Sequence, residues 1–369
     1  MNVIYLVTQL NRCGPINQAL NIVTGLRSIG VNVIIVTLYE ERAKTWMPRF
    51  VDKGVEVVQL HSDRWKPFAT FRRLYRLIKE RNVDVVHSSG VMADLMNALQ
   101  GGYVKKLTTI RSHVADLCER RGFWVRKSAQ WLCRYSFSRM DLLVGCSETM
   151  AFDVRQELGR SCVAVPNSVD TESFLPAGRH QKELLREELG LPVNAHLLIS
   201  VGSLEHRKNF EQIINAVKIS ERRDLHLIIL GSGPLKESLL QLAGNDSRIR
   251  LVDHVDSPVL YYQCSDLFIS ASLAEGLPNT VLEAMSCGLP TLLSDIPPHH
   301  ELLDYDFQAG EFFSIGEDDK LSLTINLWCG KDLEEPSKRS RAIIEKHFSR
   351  QSMAEKYAGL YDRLVRDVS

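Results

Sequence analysis

Glu275 and Glu283 flank the stretch Gly276-Leu277-Pro278-Asn279-Thr280, directly after the apolar run Leu267–Ser270. The run reads as a buried strand, and the stretch between the glutamates as the start of a short helix. Gly276 and Pro278 leave backbone N–H groups exposed at that start, where the helix dipole favours an anion. A carboxylate just before the helix and another on its second turn cannot bind the same anion. They are suited to hydroxyl groups, which donate hydrogen bonds to carboxylates at a fixed distance. Phosphate in the middle with hydroxyls on either side describes a nucleotide sugar. Cys287-Gly288-Leu289-Pro290 closes the helix, with Gly at the C′ position and Pro preventing continuation.

Gly202-Ser203-Leu204-Glu205-His206-Arg207-Lys208-Asn209 carries the second set of reactive groups. Adjacent Arg207 and Lys208, after a strand and before a helix, suit a diphosphate whose charge grows as its bond to a sugar breaks. Gly231-Ser232-Gly233-Pro234 is a glycine turn that lets backbone approach a ligand. Gly14 stands at a helix entrance and offers N–H groups to a phosphate, while Asn17 and Gln18 either bind an acceptor sugar or simply cap the helix. His87 and His113 both follow apolar runs, although Arg111 is the residue directly ending the second of them. No D-x-D motif ends a strand, so fixed cations rather than a metal are expected to neutralise phosphate.

These groups need a scaffold, and the hydrophobic pattern supplies one. Apolar β-rich runs alternate with helical patterns throughout, which predicts an α/β protein with parallel sheets. Val3–Thr8, Val31–Thr37, Val55–Leu60, Val83–His87, Leu107–Ile110, Leu142–Cys146 and Cys162–Val165 are the expected strands of a first domain, 1–174. A charged connector bounded by Pro176 and Pro192 comes next. His196–Gly202, Leu225–Leu230, Ile249–Val252, Leu267–Ser270 and Thr291–Leu293 build a second domain, 193–347. Two doubly wound domains are expected to place their ligand in a cleft at the C-terminal ends of their strands.

Length and composition agree with that plan. A chain of 369 residues, 44% hydrophobic and 24% charged, fits two soluble globular domains. Its eight cysteines show no C-x-x-C or metal-ligand spacing and read as free thiols in a reducing compartment. Without a signal-peptide pattern or a long apolar run, a cytoplasmic location is expected. Net charge is zero, yet residues 1–180 hold 25 basic against 16 acidic side chains. Arg64-Trp65-Lys66-Pro67-Phe68 with Phe71–Arg76, and Arg120–Trp124 with Arg126, Lys127 and Trp131, mix aromatics with cations. Such segments suit an anionic membrane surface, though Phe68, Phe71, Leu74, Tyr75 and Ile78 also have the spacing of a packed helix. No stacking motif or recognition-helix pattern points to nucleic acid.

The run EGLPNTVLEAMSCGLPTLLSD, residues 275–295, resembles the donor-binding signature of the retaining glycosyltransferases of family 4 (group 1), which have the GT-B fold: two Rossmann-like domains facing across a cleft. That family carries two glutamates separated by seven residues, as Glu275 and Glu283 are here. The resemblance implies that Glu275 holds sugar hydroxyls, Glu283 the ribose, and Arg207 and Lys208 the diphosphate. It places Gly231, Gly233 and the backbone near Val255 beside the nucleotide, Gly14 beside phosphate, and a histidine such as His113 beside the donor sugar. Departures are Ser203 where arginine is frequent, one glycine at Gly14 where two are common, Arg111 at the strand end, and His254 and Ser168 where glycine is usual. VPNSVDTESF (165–174) resembles the family's run before its linker, and the tail 348–369 is implied to cross back onto the first domain.

The implied activity is metal-independent transfer, with retention, of a sugar from a nucleotide-sugar donor, UDP-linked by preference. The implied acceptor is a glycan hydroxyl, on a lipid-linked oligosaccharide at the inner membrane face, in O-antigen, capsule or lipopolysaccharide synthesis. An epimerase or hydrolase of the same fold would bind donor without acceptor. A non-catalytic sugar-nucleotide binding protein would be expected to have lost the Glu275, Arg207 and Lys208 set.

Overall fold

The computed structural model of the chain describes residues 1–41, 45–61, 67–113 and 123–366. The chain divides into two compact units, one of Met1–Ser168 with the segment from Arg350 onward, the other of Val169–Ser349. Arg64, Trp65 and Lys66 of one basic-aromatic segment, and Arg120 and Arg121 of the other, lie outside the described residues.

The first unit holds a seven-stranded sheet of β1 (Asn2–Val7), β2 (Asn32–Thr37), β3 (Val57–Gln59), β4 (Val85–Ser88), β5 (Lys105–Ile110), β6 (Leu142–Gly145) and β7 (Cys162–Ala164), in the order β3-β2-β1-β4-β5-β6-β7. Every pairing is parallel. Helices cover both faces, so the central strands read as unbroken apolar runs such as Val3-Ile4-Tyr5-Leu6-Val7, each residue at most 2% exposed.

The second unit repeats the plan with six strands: β8 (His196–Val201), β9 (Leu225–Leu230), β10 (Ile249–Val252), β11 (Leu267–Ser270), β12 (Thr291–Ser294) and β13 (Gly310–Phe313). They lie in the order β10-β9-β8-β11-β12-β13, again all parallel. The change of direction between β8 and β11 is the switch point at which such sheets bind ligands. β13 has no counterpart among the expected strands. Glu311 interrupts its apolar pattern and only four residues pair.

The units meet the sequence at slightly different places than expected. Val169 already belongs to the second unit, its N–H donating to the Phe348 carbonyl at 3.0 Å. Residues 175–192, expected as a charged connector, hold a helix at Arg179–Glu188. Its Arg186 is buried and donates to the Cys264 carbonyl (2.9 Å) and Asp266 Oδ2 (2.7 Å).

The C-terminal helix Arg350–Arg366 completes the first unit's core with Met353, Tyr357, Leu360 and Tyr361. It packs on the helix Gly14–Ser28 at Gly25, where an added Cβ would lie 2.9 Å from the Arg350 carbonyl oxygen and 3.0 Å from Ala354 Cβ. Gly25→Ala is therefore expected to lower unfolding stability by about 1–3 kcal/mol through overpacking. A urea midpoint equal to wild type would show that the two helices yield freely.

Tyr361 also explains His87. The imidazole is fully buried between the Tyr361 hydroxyl and Thr109 Oγ1, both 2.7 Å away, and burial holds its pKa well below the ordinary value. His87 is thus a satisfied core residue. The seven described cysteines are free, and all but Cys13 are buried. Among the described residues, no helix is long and apolar enough to cross a membrane.

Candidate active site

Parallel neighbours release their connections at the same edge of a sheet. In the second unit the loops after β10, β9, β8 and β11 therefore emerge side by side, in that order. That order, rather than proximity in sequence, brings Arg207 and Lys208 to Glu275.

After β8, residues His206–Lys208 form one 3-10 turn, and Asn209 takes a left-handed conformation (φ 48°) that redirects the chain into the helix Phe210–Ile219. The turn presents both cations toward the loop after β11. The two loops are joined through backbone as well, Leu273 N–H donating to the Arg207 carbonyl at 2.8 Å. Arg207 Nη1 donates to the Ala274 carbonyl and to Glu275 Oε2, each at 2.7 Å. Lys208 Nζ pairs with Glu275 Oε1, which also accepts from Ser272 Oγ at 2.8 Å.

Glu275 is largely enclosed, its side chain 8% exposed against 44% for Arg207 and 12% for Lys208. Burial alone would raise its pKa. The charges of Lys208 and Arg207, with hydrogen bonds from Lys208 and Ser272, outweigh that and bring it down to about 2. At neutral pH the cluster holds one carboxylate and two cations. It can hold hydroxyl donors on Glu275 while its surplus positive charge faces an anion.

Behind Glu275 runs a polar chain that sequence reading did not single out. Ser294 Oγ donates to the Ser272 carbonyl at 2.6 Å, and His299 Nδ1–H donates to the Ser294 carbonyl at 2.7 Å. His299 is buried and burial pulls its pKa down to about 4, so the ring is neutral at pH 7. Only Ser272 carried a local signal, its position in the loop just after β11.

The helix Asn279–Ser286 comes next, with Pro278 at its N-cap and no side-chain cap. Gly276, Asn279 and Thr280 are half-buried, whereas Leu277 and Pro278 are buried, Leu277 as part of the core. Any contact of Leu277 with a ligand is left to its backbone. Glu283 lies on the second turn, half-buried, and Oε2 accepts from the Tyr262 hydroxyl at 3.2 Å. Burial and then the Glu283 charge raise the Tyr262 pKa well above its ordinary value, so the phenol stays a donor.

Gly231 and Gly233 follow β9 and lie against the loop that carries the cations. A Cβ on Gly231 would overlap the Gly202 carbonyl oxygen, and one on Gly233 would sit 2.7 Å from Leu204 N. Val255, after β10, is half-buried beside exposed His254.

In the first unit, Gly14 is exposed at the first position of Gly14–Ser28, with Cys13 as an N-cap that makes no side-chain capping bond. Gln18 is not available to a sugar in the way expected. Its Nε2 donates to the Ser168 carbonyl (2.7 Å) and its Oε1 accepts from Ser168 N–H (3.0 Å), which ties the helix to the end of the sheet. Arg111 and His113 part company. Arg111 turns inward to Asn167 Oδ1, while His113 Nε2 lies 3.7 Å from Asp153 Oδ2, both groups half-exposed.

Comparison with known proteins places both units in one enzyme family. Residues 181–346 match the family described as glycosyl transferases group 1, and residues 14–173 match glycosyltransferase family 4. The O-antigen biosynthesis glycosyltransferase WclY of Escherichia coli is 25% identical over the full length of both chains. The UDP-Gal:alpha-D-GlcNAc-diphosphoundecaprenol alpha-1,3-galactosyltransferase of Escherichia coli is 25% identical over 79% of this chain and 78% of its own. The crystal structure of Anabaena Alr3699/HepE in complex with UDP superposes with a TM-score of 0.81 at 16% identity, covering 98% of this chain and all of the other. At that identity the likeness establishes the fold. One family match falls on each Rossmann-like unit, and in the second Glu275 and the Arg207-Lys208 cations sit in loops after strand ends, with Glu283 on the helix that follows. The chain therefore belongs to the group 1, family 4 glycosyltransferases and has their GT-B fold.

Proposed function

We propose that this enzyme moves a sugar from a UDP-sugar to a hydroxyl of a lipid-linked glycan in O-antigen or related polysaccharide synthesis, with retention of configuration and without a metal. The observation that carries the reading is the cluster of Arg207, Lys208 and Glu275 at adjoining strand ends. A nucleotide diphosphate brings negative charge to Arg207, Lys208 and the first turn of Asn279–Ser286, which stabilise it as it leaves. The same cations hold Glu275 ionised, so that its carboxylate accepts from sugar hydroxyls. Glu283 takes the ribose hydroxyls. The acceptor hydroxyl attacks on the leaving group's own face and passes its proton to the phosphate. Relatives whose names include UDP-Gal, diphosphoundecaprenol and O-antigen favour this donor, acceptor and product class.

An anionic membrane surface at the inner face of the cytoplasmic membrane fits a lipid-linked acceptor. The helix Phe123–Ser138 leaves Phe123, Trp124 and Trp131 63%, 82% and 64% exposed, with Lys127 and Arg134 also exposed. In the helix Pro67–Glu80, Leu74 and Ile78 enter the core while Phe68 and Tyr75 stay exposed. Each helix thus combines the two readings, a packed face and an aromatic-cationic face.

Thermal-shift titration against UDP, GDP, dTDP and ADP sugars tests the donor site, with Glu283→Ala alongside. UDP at 100 times its Kd is expected to stabilise wild type by about 2.7 kcal/mol. Loss of two charge-assisted hydrogen bonds in Glu283→Ala is expected to weaken UDP about 100-fold. Equal shifts by all four nucleotides, or none by UDP, would remove this donor assignment. NMR of the product's anomeric proton then decides retention.

A further inference from the structure

We infer that Arg111, Tyr5 and Ser168 form an oxyanion-binding site in the first unit, one that takes a phosphate or carboxylate carried by a substrate. The inference rests on the transferase reading and adds to it a charged group on donor or acceptor.

The carrying observation is a buried arginine whose outer edge has no anionic partner, with the residue after its Asn167 partner, Ser168, carrying an unpaired hydroxyl. Arg111 directly follows β5, and Tyr5 of β1 and Tyr357 of the C-terminal helix lie beside its guanidinium. Nη1 donates to Asn167 Oδ1, a neutral acceptor. Nε and Nη2 are sealed from solvent and meet no carboxylate or carbonyl, the Tyr5 hydroxyl being the polar group beside the guanidinium, and Ser168 Oγ is buried without a partner. Among the described residues, no carboxylate pairs with Arg111. The residue as a whole keeps partial exposure, while its Nε and Nη2 atoms lie beneath that exposed part.

Other enclosed arginines in this chain are treated differently. Arg186 binds Asp266 Oδ2 and three carbonyls, and Arg248 binds Asp246 and two carbonyls. A buried cation without an anion is strongly unfavourable, because its lost hydration is not replaced. A buried guanidinium edge with only a tyrosine hydroxyl beside it calls for an anionic acceptor. The Nε–Nη2 edge offers two parallel N–H bonds, the geometry that carboxylates and phosphates accept bidentately. Hydroxyls of Tyr5 and Ser168 can donate to the remaining oxygens.

Surrounding structure holds this cluster in position and reinforces its charge. Ser168 is held by Gln18 and Asn21 of Gly14–Ser28, which both donate to its carbonyl. The field of Arg111 reaches the Cys13 thiol at that helix's N-cap, where the helix dipole adds positive potential. His87, already bonded to Tyr361 and Thr109, leaves the anion to Arg111.

The test is a titration of the full-length protein with inorganic phosphate, with UDP held at saturation to block the second unit's cations, read by calorimetry. Wild type is expected to bind phosphate beside UDP, Arg111→Gln at least tenfold more weakly, and Ser168→Ala several-fold more weakly. UDP affinity is expected to be unchanged in each variant. Arg111→Lys, which keeps the charge and loses the fork, covers the case in which Arg111→Gln fails to fold, and is expected to bind several-fold more weakly. An Arg111 variant that binds phosphate as wild type does, or wild type that binds none beside UDP, overturns the inference; an adventitious ion only would show the same indifference to Arg111. UDP binding is measured in the same titrations, so failure of the donor reading is seen separately. Two further arms locate the anion. If Arg111→Gln weakens UDP-glucuronate but not UDP-glucose, the anion rides on the donor. If a soluble polyprenyl diphosphate displaces the phosphate in wild type, it rides on the acceptor.

Discussion

Glu275→Gln is expected to lower kcat by about 10³-fold, the scale seen when one preorganised electrostatic group is removed from a transition state. The carboxylate is enclosed and is the common partner of Arg207, Lys208 and Ser272. Glutamine keeps the shape and the Ser272 bond but removes the charge that aligns both cations and accepts from sugar hydroxyls. Its cost in stability comes from linkage. The folded-state pKa of about 2 lies below the ordinary 4.5, so Glu275 contributes stability that is fully present above pH 4.5. That contribution is lost as pH falls through about 2. Glutamine should therefore destabilise by roughly 2–3 kcal/mol at pH 7, discounted for the half-exposed Arg207, and by less at pH 3. Initial rates and urea unfolding at the two pH values measure both effects. A kcat within a few-fold of wild type would mean that the transferred sugar does not meet this carboxylate.

Gly231→Ala is expected to cost at least about 3 kcal/mol, because its methyl group would occupy the space of the Gly202 carbonyl oxygen. Neither side of that contact is a flexible side chain. The loop after β8 or the turn after β9 must move, and the first of these carries Arg207 and Lys208. Weakened UDP binding should therefore accompany the lost stability. Gly102→Ala is the control, since nothing lies within 4 Å of its added Cβ. If both alanine variants unfold at the wild-type urea midpoint, the approach of these two loops is not rigid.

Glycine placement shows how sequence and structure divide the explanation. Gly231-Ser232-Gly233 reads as a turn that admits a ligand, yet the tight neighbour of both glycines is the Gly202–Leu204 backbone. Turn chemistry is local and therefore legible, whereas the partner in the close approach belongs to another strand. His87 and His113 make the same point, since each ends or follows an apolar run and looks alike in sequence. Tyr361 reaches His87 from 274 residues away, and nothing near position 87 announces it.

The sequence alone determined the alternation of strands and helices, the two Rossmann-like units and the motif Glu275–Glu283, because each depends on periodicity or on residues within one turn of each other. It missed β13, whose four residues include Glu311 and begin at a glycine. It also left Arg111 and His113 undecided. Tertiary structure decided those matters through strand order. Placing β8 beside β11 sets Arg207 and Lys208 on Glu275, 68 and 67 positions away in sequence. Placing Arg111 at the end of β5, among Tyr5, Tyr357 and Asn167, turns one strand-end cation inward and leaves it without a carboxylate among the described residues. A parallel sheet joins distant segments by backbone hydrogen bonds that any residue can make, so the pairing of strand ends is written in the packing of the whole unit and in no local pattern.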